Sequence, residues 1–225
     1  MGTTVHGQAH YWTLRMPRSH PSFAKRLEGL AEDFAKAVPH LPPLASPDGR
    51  FLPVVLPSGL AFNGRSPADA DAFLFPPKPS DWDVSFGGYF GFCRTRGRPY
   101  DRAVQVALLL AKIHFGEALE ILSDLPMAGW VGAALLVEKH LYYPADLYWA
   151  LDKRLWLLRD SLGAEFYYEA SRAEGKSEIL RSIEALALRA GPRWPFKGPY
   201  ALVGEERIDP LELARTQVVG VTYRK

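Results

Sequence analysis

The chain has 225 residues, with 27 lysines and arginines against 25 aspartates and glutamates, and a formal net charge of +2. That near balance excludes a generally basic nucleic-acid binder, so any such role needs local clustering of charge. A composition of 48% hydrophobic and 23% charged residues excludes wholesale disorder, and the single cysteine, Cys93, excludes an internal disulfide and a cysteine-rich zinc site.

No apolar run approaches the ~20 residues needed to span a bilayer. The opening Met1-Gly2-Thr3-Thr4-Val5-His6 lacks the basic start and apolar core of a signal peptide. The expected location is the cytoplasm, with no membrane partner. One asparagine, three glutamines and three methionines fit a thermophilic source; a GC-rich genome produces the same bias.

Residues 8–16 alternate, with His10, Trp12, Leu14 and Met16 on one side, which predicts a strand. A helix follows from about Ser22 to Val38, with Phe23, Leu27, Leu30, Phe34 and Ala37 at helical spacing and Pro39 ending it. Ten of the 19 prolines lie between Pro39 and Pro79, so this stretch reads as short strands and stiff turns. Phe51–Leu56 and Leu60–Asn63 flank Pro57-Ser58-Gly59 as a hairpin, Pro53 puts the first of these strands at a sheet edge, and Ala72–Phe75 is a further strand.

Val84 to Cys93 is the strongest strand pattern. Its apolar face carries Val84, Phe86, Phe90 and Phe92, with Gly87 and Gly91 on the other parity, where another backbone can approach closely. Pro99 and Asp101 suit the first turn of a helix that is apolar nearly all round from Ala103 to Ile113 and therefore buried. Ala118–Leu122 returns as a strand. Gly129–His140 is an apolar run of either type. From Ala145 to about Leu162, Leu147, Leu151, Leu155, Leu158 and Leu162 line one face of an expected helix ended by Gly163. Phe166–Tyr168 suggests a strand, Ser177–Ala190 an amphipathic helix, and Val218–Tyr223 an edge strand.

Phe92-Cys93-Arg94-Thr95, then Arg98-Pro99-Tyr100-Asp101, the apolar helix and Ile121-Leu122-Ser123-Asp124 resemble a segment of a loose group of uncharacterised bacterial α+β proteins. That group carries Phe-Cys-Lys-Thr, Lys-Pro-Tyr-Asp and a Ser-Asp-Gly strand end. Phe62-Asn63-Gly64 and Ala70-Asp71-Ala72-Phe73 resemble it too. The likeness covers roughly residues 55–125. Arg94 and Arg98 replace the usual lysines, and Leu125 stands in place of glycine. The resemblance implies a shared strand–turn–helix kernel and no activity.

The first candidate site is an anion site at the strand–helix join. If the strand persists, Arg94, Arg96 and Arg98 share a face, and with Arg102 and the helix N-terminus they meet a phosphate or carboxylate. The competing reading pairs these arginines with Asp69, Asp71, Asp81 or Asp83. The second candidate is an interface on the face of the 145–162 helix opposite its leucines, carrying Trp149, Trp156, Lys153 and Asp160. Its competitor folds Trp194-Pro195-Phe196 over the tryptophans as core. His6 and His10 share a face, but no third metal ligand is in sight. P-loop, dinucleotide-binding, Gly-x-Ser-x-Gly and His-Glu-x-x-His signatures are absent.

The expected fold is α+β. An antiparallel or mixed sheet packs on two helices in residues 1–125, and a mostly helical region, 126–225, packs on it, or a single domain spans both. The leading expectation is a non-catalytic module binding itself or a protein partner through the aromatic helical face. The alternatives are nucleic-acid or nucleotide binding at Arg94, Arg96 and Arg98, and an enzyme acting on a phosphorylated substrate at the same rim. No cofactor or metal is called for.

Overall fold

The computed structural model describes residues 8–65, 71–83, 85, 87–144, 146–209, 212 and 218–221. The fold is α+β, with antiparallel sheets and helices mixed along the chain. Its elements are β1 (Ala9–Leu14), α1 (Phe23–Ala37), β2 (Leu44–Ala45), β3 (Val54–Leu56), β4 (Gly59–Gly64), β5 (Phe73–Phe75), β6 (Trp82–Asp83), β7 (Gly88–Arg94), α2 (Asp101–Phe115), β8 (Leu119–Ser123), α3 (Val131–Leu141), α4 (Leu147–Ala150), β9 (Lys153–Arg159), β10 (Glu165–Ser171), α5 (Lys176–Ala190), β11 (Ala201–Glu206) and β12 (Val218–Val221). Among the described residues, no helix is long and apolar enough to cross a membrane.

The chain divides into two compact units, Met1–Asp124 with Gly132–Asp146, and Leu125–Val131 with Leu147–Lys225. In the first, a four-stranded sheet runs in the order β6-β7-β1-β8. β1 lies antiparallel between β7 and β8, and β6 pairs antiparallel with β7. Read as β1-α1-β6-β7-α2-β8, this is the split βαβ arrangement. β2 to β5 form an insertion, a small sheet in which β4 pairs with β2, β3 and β5. β3 is an edge strand there, following Pro53 directly.

Parity divides the main sheet into two faces. His10, Trp12, Leu14, Cys93, Leu119, Ile121 and Ser123 are all buried. They meet α2, whose Asp101 reaches His10 and whose Lys112 Nζ donates to Leu119 O at 2.8 Å. α1 packs on α2, and Phe34 stacks on Phe62 of β4 at 5.1 Å. α3 resolves the apolar run at 129–140 as a helix. Asp33 of α1 links that helix to α2 and to the segment after α3 by accepting from His114 Nε2 at 2.9 Å and Tyr143 Oη at 2.8 Å, and it also accepts from Lys36 Nζ at 2.8 Å.

The second unit is a sheet, β11-β9-β10-β12, with β12 parallel to β10. Its core gathers Trp156, Leu158, Phe166, Tyr168 and Ala170 from the strands and Ile179 and Ile183 from α5. Within residues 126–225 one expected helix is corrected: a β-hairpin, β9–β10, stands where most of a helix over 145–162 was predicted. Both faces of β9 are buried at Lys153, Leu155, Trp156 and Leu158. A strand buried on both sides reads as a continuous apolar run, and leucines at fourth positions mimic helical spacing. Gly163 (φ 86°) lies in the β9–β10 turn instead of ending a helix. The expected division at 125 also shifts, because 132–146 belong to the first unit.

Candidate functional site: the outer face of the main sheet

The face of the main sheet opposite α2 carries Tyr11 and Thr13 of β1, Phe90, Phe92 and Arg94 of β7, and Glu120 and Leu122 of β8. Tyr11 stands directly across from Phe92 and from Leu122. The rings of Tyr11 and Phe90 lie 6.4 Å apart at an interplanar angle of 24°, and those of Phe90 and Phe92 6.4 Å apart at 31°. Phe92 is 45% exposed and Leu122 47%. The Arg94 guanidinium sits 5.5 Å from the centre of the Phe92 ring. A shallow cavity of about 180 Å³ lies beside the rings, bordered by Tyr11, Thr13, Arg15, Phe90, Glu120 and Leu122.

Two of the charges on this face are matched. Arg15 pairs with Glu120 at 2.6 Å, and Arg94 Nε pairs with Asp71 Oδ2 at 3.0 Å. Burial pushes the Tyr11 phenol above its ordinary value; the Asp124 charge adds to this and Arg94 opposes it. The ring therefore presents a neutral hydroxyl and an apolar surface at neutral pH.

The arginine site takes a different form from the expected one. The strand ends at Arg94, and Arg96 (φ 52°) and Gly97 (φ 69°) turn the chain through the left-handed region. Thr95 N and Arg96 N both donate to Gln8 O, at 2.9 and 3.1 Å, which anchors this turn to the start of β1. Arg96 and Arg98 are exposed in the turn, off the strand face. Arg102 leaves the rim altogether: it packs so closely on Gly132 that a Cβ there would meet Nη1 at 1.6 Å. Of the four predicted anion-binding arginines, only Arg94 joins the aromatic face. Asp69 lies outside the described residues, as do His6, Val84 and Phe86.

The proposed interface on a 145–162 helix is likewise corrected. Trp149 is half-buried in the short α4, while Trp156 (7% exposed), Lys153 and Asp160 are buried in the second unit. Phe196 stacks on Phe166 at 4.0 Å and Trp194 meets the same ring at 6.3 Å, so the 194–196 segment packs on the Trp156 cluster. The Lys153 ammonium pairs with Glu169 Oε1 and reaches Leu125 O at 3.3 Å, and Glu169 Oε2 accepts from Met127 N at 2.7 Å. Asp160 accepts from the backbone N–H groups of Leu162, Ala164 and Lys197, and the Lys197 bond leads in holding its carboxyl below the ordinary value.

A serine–histidine–aspartate series lies inside the first unit. His10 Nδ1 is 2.9 Å from Ser123 Oγ, and His10 Nε2 is 2.8 Å from Asp101 Oδ1. Thr95 Oγ1 also donates to Asp101 Oδ1, and Gln105 Nε2 donates to Oδ2 at 2.8 Å. A nucleophilic serine must reach its substrate, and here both Ser123 and His10 are fully buried. The series ties β1, β8 and the first turn of α2 together. Cys93 is equally enclosed. Burial pushes its thiol up to about 12, with a hydrogen bond to Tyr100 opposing the shift, so no thiolate forms near neutral pH. Among the described residues, no three metal-ligating side chains converge.

A larger cavity, of about 510 Å³, opens at the free edge of β7 beyond its short pairing with β6. Phe90 and Phe92 border it and so belong to both surfaces, and Asp71, Asp81, Asp83 and Trp82 form its other wall. Asp81 and Asp83 also serve as turn caps, Asp81 Oδ2 accepting from Lys78 N at 2.8 Å and Asp83 Oδ1 from Ser85 N at 2.7 Å.

β7 alternates as the sequence predicts, and its apolar parity, Phe90 and Phe92, lies on the face opposite α2 beside Tyr11, a residue the sequence does not single out. Gly91 between the two phenylalanines was the available signal, since a residue without a side chain faces the tight side of a sheet. No protein-family model, no curated protein and no solved structure matches this chain.

Proposed function

We propose that the outer face of the main sheet binds single-stranded nucleic acid by stacking bases on Tyr11, Phe90 and Phe92. The observation that carries the reading is this aromatic trio on the two central strands of a split βαβ sheet, with Phe92 exposed and Arg94 lying over it. RNA-recognition modules stack two or three bases on aromatic side chains of such a four-stranded sheet. Their strand motif, Lys/Arg-Gly-Phe/Tyr-Gly/Ala-Phe-Val-x-Phe/Tyr, is matched at Phe90-Gly91-Phe92 and departed from at Gly88, Tyr89, Cys93 and Thr95. The analogy is one of topology and local pattern.

The electrostatics fit a stacking surface better than a phosphate cradle. Arg94 and Arg15 are each paired with a carboxylate, and the net charge is only +2. Each phosphate contact on a single strand contributes a slope of about −0.7 to log K against log salt, so one or two contacts give a shallow dependence. Base–aromatic stacking contributes about 1–3 kcal/mol per base.

Fluorescence anisotropy with labelled single-stranded RNA and DNA octamers, against a duplex of the same sequence, tests the reading. Single strands are expected to bind and the duplex not. Phe92→Ala is expected to weaken binding about tenfold or more without unfolding the chain, since its ring is half in solvent. Equal affinity of wild type and Phe92→Ala for single strands would remove the platform.

A second reading, protein binding, draws on another surface. Edge strand β3 and the residues before it expose Phe51, Leu52, Val54 and Leu56. Exposed apolar edges are templates for pairing with another chain. Sedimentation of wild type against Leu56→Lys separates this reading from the first: a shift in mass confined to wild type supports it, and identical monomers count against it.

A further inference from the structure

The small sheet β3-β4-β5 has an inner and an outer face. Leu60, Phe62, Phe73 and Phe75 point inward, and none is more than 2% exposed. The other parity carries Val54 and Leu56 of β3, Ala61 of β4 and Leu74 of β5, with Val54, Ala61 and Leu74 in one cross-strand row. Val54, Leu56 and Leu74 are 39%, 52% and 36% exposed. An antiparallel sheet face turned to water ordinarily carries polar residues, so this apolar face is unlike a solvated one.

Its relief follows from the sizes of the side chains. Ala61 is the smallest member of the row, and Gly59, opposite Leu56, adds no side chain. None would fit at position 59, where a Cβ would stand 2.4 Å from Phe75 O. β4 is therefore the floor of a trough, with Val54 and Leu56 as one wall and Leu74 as the other. Its volume is about 310 Å³, within the range of about 300–1,000 Å³ found for ligand pockets. A trough of this kind takes inserted side chains, whereas a flat bilayer surface would touch only its walls.

The charge at the trough has one sign. Arg18 and Lys78 border it and are exposed, and no lining residue carries a carboxylate. Elsewhere on the chain, Arg15, Arg94, Arg154 and Arg159 each meet a carboxylate within 3.2 Å. Arg18 and Lys78 make no ion pair among the described residues. Arg18 is nonetheless held in place: its Nη2 donates to Pro77 O, and its guanidinium lies 5.6 Å from the centre of the Tyr89 ring. A guanidinium carries five N–H donors, so donors remain for a carboxylate on a partner. An apolar trough with a purely cationic border is complementary to a chain that alternates aliphatic and acidic side chains.

We propose that the trough along β4 binds an acidic peptide segment, with aliphatic side chains seated between Val54 and Leu74 and a carboxylate meeting Arg18 and Lys78. The proposal rests on the protein-binding reading above and deepens it: the site moves from the edge of β3 to the sheet face, and the partner's chemistry is stated.

The test uses the full chain and fluorescein-labelled octapeptides read by anisotropy. One alternates leucine with glutamate, a second alternates leucine with lysine, and a third alternates serine with glutamate. The leucine–glutamate peptide is expected to bind and the other two to bind at least about tenfold more weakly. Leu74→Ser is expected to weaken the first peptide about five- to tenfold, through lost apolar burial. Lys78→Glu is expected to weaken it about tenfold and to strengthen the leucine–lysine peptide, because the sign of one border charge is reversed. Equal binding of the acidic and basic peptides by wild type overturns the proposal, and so does acidic-peptide binding that survives Lys78→Glu unchanged. If Leu74→Ser fails to fold, Lys78→Glu still decides, since that side chain stands in solvent. No binding of the leucine–glutamate peptide up to about 1 mM also overturns it, and wild type that instead sediments with phosphatidylserine vesicles points to a membrane surface. Sedimentation of wild type against Leu56→Lys separates the two readings. A chain that self-associates but takes no peptide keeps the edge of β3 and loses the trough, and a monomer that takes the peptide does the reverse.

Discussion

The indole of Trp12 fills the space above Gly91: a Cβ at position 91 would stand 2.4 Å from Cε2 and 2.6 Å from Cζ2 of that ring. The two residues face each other across β1 and β7, and Trp12 is buried against Phe73 at 5.1 Å. Gly91→Ala is therefore expected to destabilise the first unit by about 1–3 kcal/mol, the usual cost of overpacking a close-packed core. A urea titration reads this as a lowered midpoint. An unchanged midpoint would mean that Trp12 has free space beside it.

Cys93 and Tyr100 make stability fall at high pH. Burial raises the Cys93 thiol from 9.0 to about 12, and burial likewise raises the Tyr100 phenol, helped by its neighbour Cys93. Both groups stay protonated in the native state at pH values where the unfolded chain has lost those protons. The unfolded state then binds fewer protons, so stability falls as pH rises above about 9, with a slope approaching roughly 1.4 kcal/mol per pH unit for each such group. Urea midpoints from pH 8 to pH 11 should show this fall, and Cys93→Ala should make it shallower. A midpoint independent of pH over that range would contradict the enclosed thiol.

The Ser123–His10–Asp101 series is expected to be inert toward a serine-directed fluorophosphonate probe, because Ser123 is fully buried. Asp101→Asn should instead cost about 1–3 kcal/mol, since His10, Thr95 and Gln105 all bond its carboxylate. Stoichiometric labelling of the native protein at Ser123 would turn this lock into a candidate nucleophile.

The enclosed Lys153–Glu169 pair predicts strong non-additivity. Lys153→Met leaves Glu169 charged and almost without solvent, at a cost of about 3–5 kcal/mol. Glu169→Gln keeps an oxygen to accept from Met127 N while removing that charge. The double variant should recover most of the loss, and a denaturation-based double-mutant cycle measures the coupling. Additive losses would show that the pair contributes nothing as a pair.

Legibility differed sharply between the two halves. β1, α1, the β3–β4 hairpin, β5, α2 and β8 each lie where periodicity and proline positions put them: α1 and β5 bury one face and keep its period, α2 is apolar and buried nearly all round, and the hairpin is set by its Pro-Ser-Gly turn. The helix predicted over 145–162 failed at β9, where both faces are buried and leucines three and four residues apart happen to match helical spacing. β11 had no expected counterpart. Its Ala201 and Val203 are exposed, so it lacks the apolar alternation that marks a strand.

The sequence by itself determined that this chain folds as α+β, that Pro99 and Asp101 open a buried helix, and that β7 alternates with glycine on one parity. These are local consequences of dihedral restriction and side-chain period. Only the tertiary structure decided which parity of β7 meets solvent. That choice depends on Trp12, 79 positions earlier in the chain than Gly91, filling the space above the glycine and turning Phe90 and Phe92 outward beside Tyr11. It likewise separated Arg94 from Arg96, Arg98 and Arg102, because a left-handed turn anchored to Gln8 ends the strand. Alternation along a strand names two faces, and only the elements packed against the sheet decide which is the inside.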